Sequence, residues 1–172
     1  MTTNSPNTEQ FSGLILLTGE DKPGLAHSLF EALSPFSVAV IDVDQIIIKE
    51  RLILTVQISL NQAHQNAIEE DLNSLAQTLN VDIAAVFSMS TMPAYKPKCL
   101  TLTMKATKLH PKHLAAVTDS LFTAGANIED ITRAAVDTFA LTIKVSGISE
   151  TQLNDVIANT ESGTEFSLIS GK

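Results

Sequence analysis

Leu14-Ile15-Leu16-Leu17-Thr18-Gly19-Glu20-Asp21-Lys22-Pro23-Gly24-Leu25 is the stretch that decides how this chain is read. It opens on an apolar run of strand-forming residues and then meets the glycines and proline that end one. From Leu25 the period changes: Leu25, Leu29, Ala32, Leu33 and Phe36 fall at i, i+4, i+7, i+8 and i+11, one stripe of a helix. Val38 to Ile48 is extended and rich in β-branched residues, and Lys49-Glu50-Arg51 is a charged turn. After it Leu52, Leu54, Val56 and Ile58 alternate with more polar neighbours, which predicts a hairpin. A second helix carries Ile68, Leu72, Leu75, Ala76 and Leu79 on one face, and a strand from Val81 to Met89 completes a βαββαβ order.

The pattern then repeats. Residues 1–11 are polar and read as a loose tail, the first unit spans 12–91, and Met92 to Lys98, with two prolines, reads as a linker. In the second unit, residues 99–172, Leu100, Leu102 and Met104 alternate as a strand, and Leu114, Val117 and Leu121 mark a helix. That helix ends at Ala124-Gly125-Ala126-Asn127, with a glycine suited to a left-handed cap. Ile128 to Val136 and Phe139, Leu141, Ile143 and Val145 form the hairpin, Leu153, Val156 and Ile157 a shorter helix, and Glu165 to Ile169 a last strand. The copies align at an offset of 88, Leu14 on Leu102, Pro23 on Pro111, Leu33 on Leu121, Asp42 on Asp130 and Val43 on Ile131. After the hairpin turn the offset is 87, with Leu52 on Phe139, Leu54 on Leu141 and Ile58 on Val145. The lost residue belongs in the turn, because a slip inside a strand would turn its core face outward.

A duplicated βαββαβ order predicts an α+β fold of two ferredoxin-like units, each a four-stranded antiparallel sheet with both helices on one face. The other sheet face and the sheet edges stay available for pairing, within the chain or with a second copy as a homodimer.

Composition narrows the partners. The 172 residues carry 11 Lys+Arg against 19 Asp+Glu, a net charge of −8, the wrong sign for a phosphate backbone or an anionic membrane. No apolar run reaches the ~20 residues of a membrane span and the N-terminus lacks a signal-peptide pattern, so a cytoplasmic protein is expected. A single cysteine, Cys99, excludes an internal disulfide and a cysteine-based zinc site. His110 and His113 are spaced as two ligands on one helical turn with no third nearby, and flanking Pro111 they read as polar residues at a helix start. His27 and His64 stand alone. Neither a metal nor any other cofactor is expected, nor a catalytic residue: no Gly-x-Ser-x-Gly and no phosphate-binding glycine loop is present.

The opening stretch, with its helix and with Val40-Ile41-Asp42-Val43-Asp44-Gln45 on the second strand, resembles an ACT domain, whose first strand runs into an Asp-x-Pro-Gly loop that opens the first helix. The second copy resembles the family more distantly, through Leu121-Phe122 and Gly125-Ala126-Asn127-Ile128-Glu129-Asp130-Ile131. The tandem layout is most similar to the regulatory N-terminal half of phosphoserine phosphatases of the actinobacterial type. The resemblance implies a non-catalytic regulatory module that binds a small amino acid, serine or glycine, between domains, with Asp21, Pro23, Gly24, Leu25, Asp42, Asp44, Asn127 and Asp130 as contacts. It also implies that any phosphatase activity lies in a separate catalytic domain.

Helix N-termini present unpaired N–H groups and partial positive charge, which suit a carboxylate, while Asp42 or Asp44 would take the ammonium. The Asp42-Val43-Asp44 spacing also mimics the motif of aspartyl-phosphate phosphatases. It sits inside a strand that runs on through Ile46-Ile47-Ile48, with Ile46 where that motif carries Thr or Val, so no catalysis is expected of it. In the second copy Leu109-His110-Pro111-Lys112 replaces Asp21-Lys22-Pro23-Gly24, and the lost glycine puts a long side chain where a ligand would approach. Two other functions fit the residues. One is a tandem-ACT regulator similar to the glycine cleavage system repressor, working through a protein partner; the other is a ligand-free dimerisation module.

Overall fold

The computed structural model describes residues 9–91, 97–134, 139–160 and 165–169. The chain divides into two compact units, Met1–Ala94 and Tyr95–Lys172. The first holds β1 (Glu9–Glu20), α1 (Leu25–Leu33), β2 (Ala39–Ile48), β3 (Arg51–Ser59), a 3-10 turn at Gln62–His64, α2 (Gln65–Leu79) and β4 (Asp82–Thr91). The second holds β5 (Leu100–Lys105), α3 (Pro111–Thr123), β6 (Asn127–Arg133), β7 (Ala140–Ser146), α4 (Glu150–Asn159) and β8 (Glu165–Ile169). The strand orders are β2-β3-β1-β4 and β6-β7-β5-β8, antiparallel throughout, so each unit is the expected ferredoxin-like βαββαβ sheet. Two parts of the sequence reading, the tail over 1–8 and most of the linker at 92–96, lie outside the described residues, as does the second hairpin turn at 135–138.

Alternation sets the inner face. In β1 and β3, Ile15, Leu17, Leu54, Val56 and Ile58 are buried beneath the helices, joined by Leu25, Leu29, Leu33, Ile68 and Leu72. At about 25 cal/mol per Å² of apolar surface, this burial is the main favourable term for each unit. In the second unit Leu102, Met104, Val117, Leu121, Ile143, Val145 and Leu153 do the same. Helix ends are set locally. Gly125 (φ +84°) donates to the Phe122 carbonyl while Ala126 N–H reaches Leu121, closing α3 with a left-handed cap. Asn80 (φ +53°) closes α2 the same way, through Gln77 and, from Val81, Ala76.

Two expectations are corrected. The first strand begins at Glu9, inside the supposed tail: Phe11 pairs with Met89 and its ring stacks on Phe87 at 6.4 Å, which gives the polar segment an apolar anchor. Leu14 is also not the partner of Leu102. Leu14 is 53% exposed on the face away from the helices, whereas Leu102 is buried. The strand registers instead match Ile15 (opposite Val56) with Leu102 (opposite Ile143), and Leu17 with Met104, an offset of 87. The helix stripe keeps 88, Leu29 with Val117 and Leu33 with Leu121, so the extra residue of the second unit lies between β5 and α3. The sheet also keeps 88 at β2 and β6. Each has a β-bulge, between Val40 and Asp42 in one and between Ile128 and Asp130 in the other.

Candidate functional site

The loop Asp21–Gly24 joins the end of β1 to α1. All four of its residues are exposed, and Leu25, the first of α1, is buried and anchors it. The Asp21 N–H donates to the Glu50 carbonyl at 2.8 Å, tying the loop to the β2–β3 turn. Gly24 caps α1 from the left-handed region, φ +94°, with nothing within 4 Å of where a Cβ would stand. It is glycine for its backbone, with open space before the helix N-terminus. Lys22 pairs with Glu20 at 2.8 Å, and this hydrogen bond together with the lysine charge holds the Glu20 carboxyl below its usual range.

Asp42 and Asp44 stand elsewhere. Their register partners on β3, Gln57 and Thr55, lie opposite Leu14 and Leu16 of β1, on the sheet face away from α1. At ~3.3 Å per residue, this leaves the two carboxylates on the order of 20 Å short of the loop along the strand direction. A single unit therefore does not bring its loop and its acidic strand to one ligand, because β1 must run on for several residues before it turns. Asp42 is exposed and accepts from the Val43 N–H at 3.0 Å; with Leu14, Val43, Asp44, Thr55 and Gln57 it lines a small hollow of about 80 Å³.

In the second unit Asp130 occupies the position of Asp42, but it pairs with Lys144, its register neighbour, at 3.2 Å. Asn127 opens β6 and donates to Glu129, the bulged residue, which also accepts from Ser146. These two bonds, Ser146 first, hold the Glu129 carboxyl below its usual range. The loop before α3 is a helix cap. The His110 Nδ1 accepts from the Lys112 N–H at 3.3 Å, the His113 Nδ1 accepts from the His110 N–H at 3.4 Å, and Pro111 is the first helical residue. The histidine pair is used as a capping box, with an exposed Lys112 where the first unit has Gly24.

One group of residues was missed by the sequence reading. Arg51, read only as part of a turn, begins β3 and donates from Nε to Thr18 Oγ1 at 3.2 Å and from Nη2 to Asp82 at 3.1 Å. These residues edge a cleft of about 510 Å³ that runs from the end of β1 to the C-terminal end of α2. Only the register, which sets Glu20 opposite Arg51 and Thr18 opposite Asp82, brings them together.

A family model described as "ACT domain" matches residues 13–86, β1 into β4. The first unit is an ACT domain. The second repeats its topology and its β-bulge. Phosphoserine phosphatase SerB2 of Mycobacterium tuberculosis is 30% identical over 122 residues, 70% of this chain and 30% of that protein. A phosphoserine phosphatase of Streptomyces coelicolor is 26% identical over 153 residues, 84% of this chain and 36% of that one. The chain spans about a third of the length of these curated relatives. Among solved structures, a putative glycine cleavage system transcriptional repressor matches 93% of this chain and 96% of its own with a TM-score of 0.69 at 12% identity, a likeness of fold. Among the described residues no helix is long and apolar enough to cross a membrane.

Proposed function

We propose that this chain is a regulatory module that binds a small amino acid, serine or glycine, and reports occupancy by changing how ACT units pair. The observation that carries the reading is the Asp21–Gly24 loop: a left-handed glycine at the start of α1, with open space before it, inside a matched ACT domain. The helix N-terminus would take the ligand carboxylate. Because Asp42 and Asp44 lie far along the sheet from their own loop, the ammonium would meet the second strand of another copy. Ligand bridging then favours the paired state by its differential affinity, typically ~1–3 kcal/mol. The likeness to phosphoserine phosphatases supports service to a catalytic domain, within a longer chain or on another one.

Calorimetric titration with L-serine and glycine tests this. Saturable heat that vanishes in Gly24→Glu, which adds bulk and negative charge at the helix N-terminus, is the expected result. Absence of heat with either ligand up to millimolar concentration sinks the reading.

A second reading, a pairing module without ligand, has its own support in β2. Beyond the bulge and the Asp42 and Asp44 carboxylates, the end of this edge strand exposes Ile46, Ile47 and Ile48 at 47, 53 and 57%, apolar on both faces over those three residues. It predicts self-association in the absence of amino acids, measured by sedimentation, and a shift to monomer in Ile47→Lys. A third role, as a regulator acting through a protein partner, follows the name of the structurally similar repressor; the charge of −8 favours a protein over nucleic acid.

A further inference from the structure

The outer face of the first sheet is patterned as well as apolar. The strand registers set Ile48 and Ile46 of β2, Ile53 of β3, Leu16 and Leu14 of β1 and Val86 of β4 in a diagonal from one corner of that face to the opposite one. All are exposed except Ile53, which is half-buried. At ~4.8 Å between strands and ~3.3 Å per residue along them, the stripe is about 25 Å long. Polar residues hold the other two corners: Asp42, Asp44 and Gln57 in one, Thr18, Glu20, Arg51 and Asp82 in the other. A contiguous apolar patch with a polar rim marks an interaction surface. The corresponding face of the second unit carries Thr101, Asp130, Thr132, Thr142 and Lys144 and offers no such stripe. Among the described residues, the apolar match for the stripe is the same stripe on another chain.

We propose that the first sheets of two copies of this chain stack face to face through the stripe, related by a two-fold axis. Such a contact is self-complementary, because each stripe covers the other. A face of four strands by about eight residues is on the order of 500 Å² a side, or ~1,000 Å² for the pair. That is the lower bound of specific interfaces, so the dimer is a reversible one. Charge selects the axis. An axis across the stripe stacks Asp42 and Asp44 on the same two residues of the other copy, like charge on like. An axis along the stripe sets them against the mixed-charge corner of Arg51. It also brings that acidic corner over the end of the other copy's β1, where the Asp21–Gly24 loop starts. The inference deepens the regulatory reading by naming the copy that would meet the ligand, but the apolar stripe carries it without any ligand.

Sedimentation velocity of the full chain over a range of concentrations, without and with L-serine, tests this. A concentration-dependent dimer is expected in the absence of the amino acid. Val86→Asp, which puts a charge on an exposed residue at one end of the stripe, is expected to raise the dissociation constant roughly tenfold or more. Thr101→Asp, at the register position that Leu14 holds in the first unit, is expected to leave it unchanged. Circular dichroism melts check that each variant is folded, and Leu14→Asp replaces Val86→Asp should that one melt early. A dimer that Ile47→Lys dissociates and Val86→Asp does not would put the pairing at the β2 edge and overturn the stacked faces. An equal loss from Thr101→Asp, or a chain that stays monomeric with and without serine, overturns them as well. Calorimetric heat with serine that Gly24→Glu abolishes, in a chain that never dimerises, would leave amino-acid binding standing while this inference falls.

Discussion

The two units share an inner sheet face and differ on the outer one. Away from its helices the first sheet presents Leu14, Leu16, Ile46, Ile48 and Val86, between 37 and 66% exposed. The second has Thr101, Asp130, Thr132, Thr142 and Lys144 on the corresponding face, with Thr103 buried between them. The βαββαβ order needs only the inner alternation that packs under the helices, so the outer face is free to diverge. The first is a surface fit for covering; the second is fit for water.

The inner faces differ in size. Among the described residues twelve buried side chains form the first core and seven the second, so equal damage takes a larger share of the second unit's stability. Ile15→Ala and Leu102→Ala sit at equivalent register positions, both at most 1% exposed, and each is expected to cost ~2–5 kcal/mol. Hydrogen exchange read by mass spectrometry separates the outcomes. Each variant should lose amide protection in its own unit, and Leu102→Ala should open its unit at the lower denaturant concentration. Equal loss across both units in either variant would mean that the cores are not independent.

Gly13 sharpens the comparison of the first strands. A Cβ there would stand 2.6 Å from the Phe87 ring, whereas the second unit carries Leu100 at the same register position. Gly13→Ala forces the Phe87 ring aside and is expected to cost ~1–3 kcal/mol in urea unfolding.

Fold and topology were legible because both inner faces alternate and both first helices hold a stripe. The register of β1 was not. Leu14-Ile15-Leu16-Leu17 is apolar at every position, so alternation gives no sign of which residues face inward, and aligning Leu14 with Leu102 chose the outer set. The ambiguity has a cause: this strand is apolar on both faces because its outer face is apolar too. The tail boundary failed for a related reason, as a strand that starts Glu9-Gln10-Phe11 shows one apolar anchor among polar residues. At the candidate site the Pro-Gly loop was readable as a motif. Its separation from Asp42 was not, since that depends on which residue of β3 each neighbour faces, and the Arg51 cleft is likewise a product of register.

The helix ends offer a smaller contrast. The first unit closes α2 on Asn80 and the second closes α3 on Gly125, both left-handed. Gly125→Ala places a Cβ in a conformation that disfavours it and is expected to cost about 1 kcal/mol, although no neighbour crowds the site. Asn80→Gly relieves the milder strain of asparagine and is expected to change stability by less than about 1 kcal/mol in the stabilising direction. Thermal melts of the two variants should therefore move in opposite directions; a gain from both would mean that the cap geometry is not what decides either end.

The bulges give the smallest effect. Both second strands bulge at the same place, but the first puts Ile41 there and the second Glu129, whose carboxylate accepts from Ser146 and Asn127. A carboxyl whose folded pKa is depressed contributes stability above its unfolded pKa, near 4.3 for glutamate, and loses it as pH falls through the lower folded value. Ser146→Ala removes the larger of the two causes. Its melting temperature should fall below that of the parent chain at neutral pH, and the gap should narrow as the medium is acidified through and below the ordinary glutamate range. Ser59→Ala at the matching place in the first unit, where the bulge carries no acid, should show a gap that does not change with pH. A Ser146→Ala deficit equally flat with pH would mean that this serine is needed for packing and not for holding the charge.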